Sequence, residues 1–169
     1  MFEKIPIAGM DKRQWLMQRK SGIGGSDAGA ICGVNPYSSA MKVFRDKTCE
    51  DVEEADNEAI RIGHDLEDYV ARRFSEATGL KVRKSNFMYR SIEHPFMIAD
   101  VDRLVVGEDA GLECKTASAY NADKWADGNI PLHYGHAMLP LHGGYREAHM
   151  VYCGSHFRQG VYIQEAGMG

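Results

Sequence analysis

Asp102, Glu113 and Lys115 are the residues whose types and spacing first suggest chemistry. The segment Ala99-Asp100-Val101-Asp102 is followed, eleven residues after Asp102, by Glu113-Cys114-Lys115. In a strand, residues two apart share a face, so Glu113 and Lys115 project together while Leu112, Cys114 and Thr116 face a core. Asp102 is expected on the preceding strand. The turn through Gly107-Glu108-Asp109-Ala110-Gly111 makes a hairpin able to set it beside Glu113. Two adjacent carboxylates repel unless a cation lies between them. Oxygen-only ligands favour Mg²⁺ or Mn²⁺, and such an ion polarises a phosphodiester and lowers the pKa of a bound water. Lys115 is placed to orient that water and offset developing charge, and the backbone carbonyl of Cys114 offers a further oxygen. Glu67, four residues after Gly63 and bordering an apolar helix stripe, can look from its helix toward the sheet.

Each residue also has an ordinary structural reading. Asp-x-Asp in a strand is more often a solvated edge, Glu-x-Lys is a common ion pair on one face, and a lone Glu on a long helix is usually exposed. The informative feature is their order: a helix Glu, a strand Asp, then a strand Glu-x-Lys.

The elements that must position them can be read from local signals. Asp11 to Lys20 is expected as a short basic helix, with Asp11 as N-cap and Gln14 completing a capping box. After the glycine-rich turn Gly22-Ile23-Gly24-Gly25, Ser26-Asp27 reads as the N-cap of a helix ending near Gly33. Asn35-Pro36-Tyr37 is a turn, Ser39 to Lys47 a third helix, and Cys49 to Asn57 an acidic connection. Glu58 to Thr78, closed by Gly79, carries the strongest helix signal, with Ile62, Leu66, Val70 and Phe74 as a core-facing stripe. Leu80 to Arg90, Phe96 to Val106 and Gly111 to Thr116 then read as consecutive antiparallel strands. Ala117 to Ala126 is expected as a helix, interrupted at Ile130-Pro131. Ala148 to Cys153 and Phe157 to Gln164 read as a hairpin around Gly154-Ser155. The order of helices, small sheet, helix and further strands implies one α+β domain over residues 1–169.

Composition narrows the class. In 169 residues, 44% are apolar and 26% charged, which excludes a wholly disordered chain. Twenty basic against 24 acidic residues give a net charge of −4, which disfavours a generally cationic nucleic-acid coat but leaves room for a local basic groove. No apolar run approaches the ~20 residues of a membrane span, and Met1 to Asp11 lacks the pattern of a signal peptide. Cys32, Cys49, Cys114 and Cys153 form no CxxC pair, so they read as reduced, mostly buried thiols of a cytoplasmic protein rather than a zinc or iron–sulfur site. His133, His136 and His142 are loosely metal-like in spacing but have no partner cysteine or carboxylate at regular spacing.

Asp102…Glu113-Cys114-Lys115 resembles the catalytic motif of the PD-(D/E)XK nuclease superfamily. Arg19-x-x-Gly22-Ile23-Gly24-Gly25-Ser26-Asp27…Cys32-Gly33-Val34-Asn35-Pro36-Tyr37 resembles the signature of its lambda-exonuclease branch, the YqaJ-like viral recombinases. Gly63-His64-Asp65-Leu66-Glu67 matches that family's G-x-x-L-E helix, and His94-Pro95-Phe96…Ala99…Asp102 its approach to the catalytic Asp. The resemblance implies a restriction-endonuclease-like core, a small mixed sheet flanked by helices. It further implies a Mg²⁺- or Mn²⁺-dependent exonuclease of phage-type recombination, acting 5′→3′ on ends of linear duplex DNA in the host cytoplasm. Asp102, Glu113 and the Cys114 carbonyl would hold one metal, Glu67 would serve a second-metal region, and Lys115 the nucleophilic water. Arg19 and Ser26 match positions that hold a terminal 5′-phosphate, consistent with a guanidinium and a hydroxyl at a helix N-terminus. Lys81, Arg83, Lys84 and Arg90 are candidate backbone-phosphate contacts. A single-strand-annealing protein as partner, and assembly as a homo-oligomeric ring of three, are implied in the same way.

The pattern departs after Tyr134. Ala137 stands where the family has Gln, Pro140, Gly143 and Gly144 interrupt a helix, and the nuclease domain is short at the C-terminus compared with the family. These departures favour an alternative, a non-catalytic DNA-end-binding accessory protein of recombination; a restriction-type endonuclease on the same fold is a further one.

Overall fold

A computed structural model describes residues 2–49, 57–108, 110–117, 147–154 and 162–166. The fold is α+β, and the chain forms two compact units, each assembled from separate stretches of sequence.

The first unit takes in residues 2–49 and 86–100. Its helices are α1 (Lys12–Lys20), α2 (Gly25–Ile31) and α3 (Ala40–Thr48), and its strands β1 (Phe2–Pro6), β3 (Phe87–Ser91) and β4 (Ile98–Asp100) form an antiparallel sheet in the order β1-β3-β4. Helix α1 begins as its sequence predicts: the Asp11 side chain accepts from the Gln14 amide at 2.8 Å, and the Gln14 side chain accepts from the Asp11 amide at 2.9 Å. Ser39 caps α3 through the Lys42 amide at 3.3 Å.

The cap of α2 differs from the expectation. Gly24 is the N-cap, and Ser26 lies inside the first turn. Asp27 explains the shift: three residues past the cap, its carboxylate accepts from the Gly24 amide at 2.8 Å. The preceding turn lies against β4, with Ile23 bridged to Met97 and donating to the Phe96 carbonyl at 2.6 Å. A Cβ at Gly22 would lie 2.7 Å from Ile98 Cγ2 and 2.8 Å from the Phe96 carbonyl oxygen, so this close approach requires glycine.

The second unit takes in residues 57–85, 101–108, 110–117, 147–154 and 162–166. Helix α4 (Glu58–Thr78) starts at Asn57, which accepts from the Ile60 amide at 3.0 Å, and stops at Gly79, whose φ of 76° is the left-handed C-cap. Strands β2 (Val82–Lys84), β5 (Arg103–Val105), β6 (Ala110–Ala117), β7 (Glu147–Gly154) and β8 (Tyr162–Ala166) form a mixed sheet in the order β2-β5-β6-β7-β8. All neighbours are antiparallel except β6 and β7. A parallel pair needs a crossover of a dozen or more residues, which the stretch between residues 117 and 147 is long enough to supply. The core joins Val70, Ala71 and Phe74 of α4 to Val105, Ala110 and Leu112, with Leu80, Val82 and Cys114 packed against it. Burying a side chain of the size of Phe74 or Leu112 contributes roughly 1.5–3 kcal/mol.

Three expectations need correction. Leu80 to Arg90 and Phe96 to Val106 are each two strands, because the halves pair with different partners: β3 and β4 with the β1 sheet, β2 and β5 with the β6 sheet. The α4 stripe is buried at Val70 and Phe74 but not at Ile62, which is 44% exposed. Cys32 and Cys49 are free and exposed rather than buried, and Cys114 is half-buried. The expected hairpin near the end of the chain is β7–β8. The predicted helix after Ala117, the acidic connection, the three histidines and Ala137 lie outside the described residues. Among the described residues, no helix is long and apolar enough to cross a membrane.

Candidate functional site

Among the described residues, a dense group of charge lies in the second unit, around the β5–β6 hairpin. Its register sets Arg103 opposite Leu112, so Asp102, in the bend just before β5, comes level with Glu113. The Asp102 carboxylate accepts from the backbone N–H of Cys114 at 2.7 Å, which fixes it against β6 between Glu113 and Lys115. Glu113 and Lys115 lie on one face, as residues two apart in a strand must, and the ammonium donates to the Glu113 carboxylate. Asp102 therefore sits in the bend rather than within a strand, and the hairpin still brings the three side chains together.

The electrostatics follow from burial and crowding. Burial, then the charge of Glu113, push the Asp102 carboxyl up to about 7, with Glu67 adding to the effect and Lys115 opposing it. Burial works against the charge of Lys115, but Glu113 and Asp102 outweigh it and raise its pKa. Burial, then Asp102, push the Cys114 thiol up to about 12, so the sulfur stays neutral and packs against the core. The Cys114 side chain thus faces the core, away from the face that Glu113 and Lys115 share, and its backbone is the part that lies beside the carboxylates.

Glu67 points to the sheet from α4, but its carboxylate is taken up by Arg103. The Arg103 guanidinium is the residue that sequence reasoning missed. Only 4% exposed, it also donates to the Asp68 carboxylate at 2.5 Å and to the backbone carbonyl of Asp102 at 2.7 Å. It thereby ties the bend that carries Asp102 to α4. Burial opposes its charge, and the hydrogen bond and charge of Glu67 more than compensate, so its pKa rises. Lys84 adds an ion pair to Asp68 at 3.4 Å.

Asp102 and Glu113 are oxygen donors of the kind a hard divalent cation selects. Their fit to one is electrostatic: a carboxylate held up by burial and by a second carboxylate is in the state that a cation between them relieves. Among the described residues, no group of three or more His, Cys, Asp or Glu side chains forms a ready-made cage.

A second cluster lies in the first unit. The Arg19 guanidinium donates to Ser26 Oγ at 3.2 Å and stacks on the Trp15 ring, 4.9 Å from its centroid. The Arg19 carbonyl accepts from Lys47 Nζ at 2.8 Å, and Lys47 pairs with Asp27 at 2.7 Å. The structure thus brings Arg19 and Ser26 together, though Ser26 reaches the spot from inside the first turn of α2. Of the four candidate backbone contacts, Lys84 is committed to Asp68, and Arg90 donates to Ser21 Oγ at 2.6 Å in the first unit. Lys81 and Arg83 are exposed on the second unit.

The model of the YqaJ-like viral recombinase domain matches residues 14–139. The uncharacterized protein YqaJ of Bacillus subtilis is 43% identical over 147 residues, which cover 84% of this chain and 46% of that protein, so the chain spans about half the length of this relative. Among solved structures, the alkaline exonuclease LHK-Exo of Laribacter hongkongensis superposes with a TM-score of 0.75 at 14% identity, covering 94% of this chain and 83% of that one. The same enzyme in complex with dAMP gives 0.71 at 15% identity over the same shares of the two chains. A phage-related exonuclease from Haemophilus somnus gives 0.55 at 11% identity, covering 88% and 85%. At these identities the structural likeness establishes the fold, whereas the residue-level match over most of the chain establishes descent: the chain belongs to the YqaJ-like viral recombinase family.

Proposed function

We propose that this chain is a Mg²⁺- or Mn²⁺-dependent exonuclease of phage-type recombination, hydrolysing phosphodiesters from the 5′ ends of linear double-stranded DNA. The observation that carries the reading is the convergence of Asp102, Glu113 and Lys115 on the β5–β6 hairpin, with the Asp102 carboxyl pushed up first by burial and then by Glu113. The exonuclease names of the structurally similar proteins support it.

In this reading Asp102, Glu113 and the Cys114 carbonyl hold the cation. When bound, the ion polarises the scissile phosphate and makes a nearby water more acidic. The chain's own residues do the rest. The Cys114 amide holds the Asp102 carboxylate in place, and Arg103 holds the bend that presents it. Lys115, held by the Glu113 carboxylate, is placed to act as a donor to the attacking oxygen or the phosphate. Glu67, in ion pair with Arg103, stands in electrostatic reach of Asp102 and serves the second-metal region. Arg19 and Ser26 receive the 5′-phosphate of the duplex end.

The proposal takes both units as parts of one nuclease domain and duplex ends as the partner. Its single-stranded product suits an annealing protein. Assembly as a ring of three in the host cytoplasm belongs to the same reading.

The test is digestion of one 5′-phosphorylated duplex, linear against covalently closed circular, with Mg²⁺, with Mn²⁺ and with chelator. Loss of linear DNA alone, dependent on metal and on Asp102, is expected. Cutting of the circle would establish an endonuclease instead. Binding to ends without digestion would establish the accessory protein that Ala137, in place of the family's Gln, leaves open.

A further inference from the structure

We infer that Trp15 is a positioning residue for end recognition, fixing the Arg19 guanidinium for a terminal phosphate through a stack that Asp100 holds in place. The inference rests on the reading of Arg19 and Ser26 as the site of that phosphate.

A free arginine side chain samples many rotamers, and a binding site that must freeze it loses affinity. Here the freezing is built in. Trp15 and Arg19 are four residues apart on α1, hence neighbours on one face. The guanidinium carbon lies 4.9 Å from the indole centroid, within cation–π range. The indole is anchored in turn, because its Nε1–H donates to the Asp100 carboxylate at 2.7 Å. The edge of the guanidinium is set by its bond to Ser26 Oγ at 3.2 Å. Its backbone is set by Lys47, which donates to the Arg19 carbonyl and pairs with Asp27, whose carboxylate accepts from the Gly24 amide at the start of α2. The guanidinium carries five N–H donors in a planar fork, and the Ser26 bond uses one of them. A ring on one face and a hydroxyl at one edge leave the fork oriented for bidentate contact with a dianion.

A Trp whose only role were to fill space would alter stability and leave end preference alone. The experiment therefore reads a ratio. Identical linear duplexes with 5′-phosphate or 5′-hydroxyl ends are digested in Mg²⁺ by the full chain and by Trp15→Leu and Trp15→Phe, and kcat/KM is compared between the ends. Binding of both duplexes in EDTA is followed by fluorescence anisotropy. A cation–π contact supports roughly a two- to thirtyfold effect. The preference for phosphorylated ends should fall by that factor in Trp15→Leu. It should fall less in Trp15→Phe, which keeps a ring but loses the bond to Asp100. If Trp15→Leu does not fold, Trp15→Phe decides. An unchanged ratio in the folded variants, including an equal loss of rate on both ends, overturns the inference. A ratio of one in the unmodified protein overturns the reading of the Arg19–Ser26 site itself, and the role of Trp15 falls with it.

Discussion

The Asp102 carboxylate accepts the Cys114 backbone N–H at 2.7 Å, so the acid is held by the strand that carries its two charged neighbours, Glu113 on one side and Lys115 on the other. This bond lowers the pKa of Asp102, yet burial and the charge of Glu113 prevail and leave it at about 7. The charged form of Asp102 is therefore disfavoured in the folded protein.

That state makes stability depend on pH in a defined direction. Because folding raises the pKa of Asp102 from 3.8 to about 7, the folded form binds its proton more tightly than the unfolded chain. The contribution is fully present below about pH 4 and is lost as the pH climbs toward 7. With chelator, thermal midpoints should therefore fall between pH 5 and pH 8 through this group. Asp102→Asn should flatten that slope while abolishing cleavage, and Mg²⁺ should stabilise the unmodified protein more at pH 8 than at pH 6. Full cleavage by Asp102→Asn would sink the assignment.

Lys115 should separate binding from chemistry. Its ammonium acts as charge develops, so Lys115→Ala should bind linear duplex almost as well as the unmodified protein but cleave it at least ~100-fold more slowly. Lys115→Arg should also be poor, since a planar fork does not replace a compact ammonium against Glu113. Single-turnover rates and duplex binding in EDTA check both variants. Normal cleavage with weak binding would make Lys115 a phosphate contact only.

Arg103 is the buried charge on which the acidic residues depend. Replacing it with Met removes the donor to Glu67 and to the Asp102 carbonyl, and because the Glu67 side chain keeps part of its solvent contact the cost is about 1–3 kcal/mol, below that of a fully buried pair. Chemical denaturation should show that loss, and a calorimetric Mn²⁺ titration should show weaker binding as the Asp102 bend loosens. Arg103→Lys keeps the charge but cannot reach Glu67, Asp68 and the Asp102 carbonyl at once. It should recover only part of either property.

Helix α1, with its Asp11–Gln14 box, and α4, bounded by Asn57 and Gly79, were legible because their signals are local: caps, a stop and an apolar period. The pairing of Asp102 with the Glu113-Cys114-Lys115 strand was legible because hairpin register and strand alternation are short-range rules. What escaped the sequence is non-local. Strand β1 carries no marked alternation and exists through its pairing with β3. Two apparent strands split because each half finds a different sheet. Arg103 reads as an ordinary basic residue, and only the folded chain supplies the three oxygens that keep it buried.

Gly22 offers a test of the first unit that is independent of any chemistry. In Gly22→Ala the new Cβ meets the Phe96 carbonyl oxygen at 2.8 Å, and backbone cannot give way as a flexible side chain can. Overpacking of this kind costs typically ~1–3 kcal/mol, so the thermal midpoint should drop. Amide exchange should report earlier opening at Ile23 and Ile98, which are bonded across this contact. An unchanged midpoint would mean that the turn does not lie on β4 in solution.

Arg19 and Ser26 should govern selectivity for the kind of end. The guanidinium and the hydroxyl meet at 3.2 Å although they come from different helices, and the Gly22–Gly25 turn between them makes that approach possible. A terminal phosphate carries more charge than an internal phosphodiester and has a free end, so this pair should favour 5′-phosphorylated duplex over 5′-hydroxyl duplex. Charge-assisted hydrogen bonds contribute roughly 1.5–3 kcal/mol each, about tenfold to a hundredfold in rate or affinity. Arg19→Ala should remove most of the difference between the two ends. Arg19→Lys should restore part of it, because a point charge attracts the dianion without the bidentate geometry. Ser26→Ala should have a smaller effect, since it removes a neutral donor and frees the edge of the guanidinium. Initial rates on both ends of the same linear duplex decide the matter, and Mn²⁺ binding should stay unchanged in all three variants, because the proposed ligands Asp102 and Glu113 belong to the second unit. Equal rates on the two ends in the unmodified protein would leave Arg19 and Ser26 with structural roles alone.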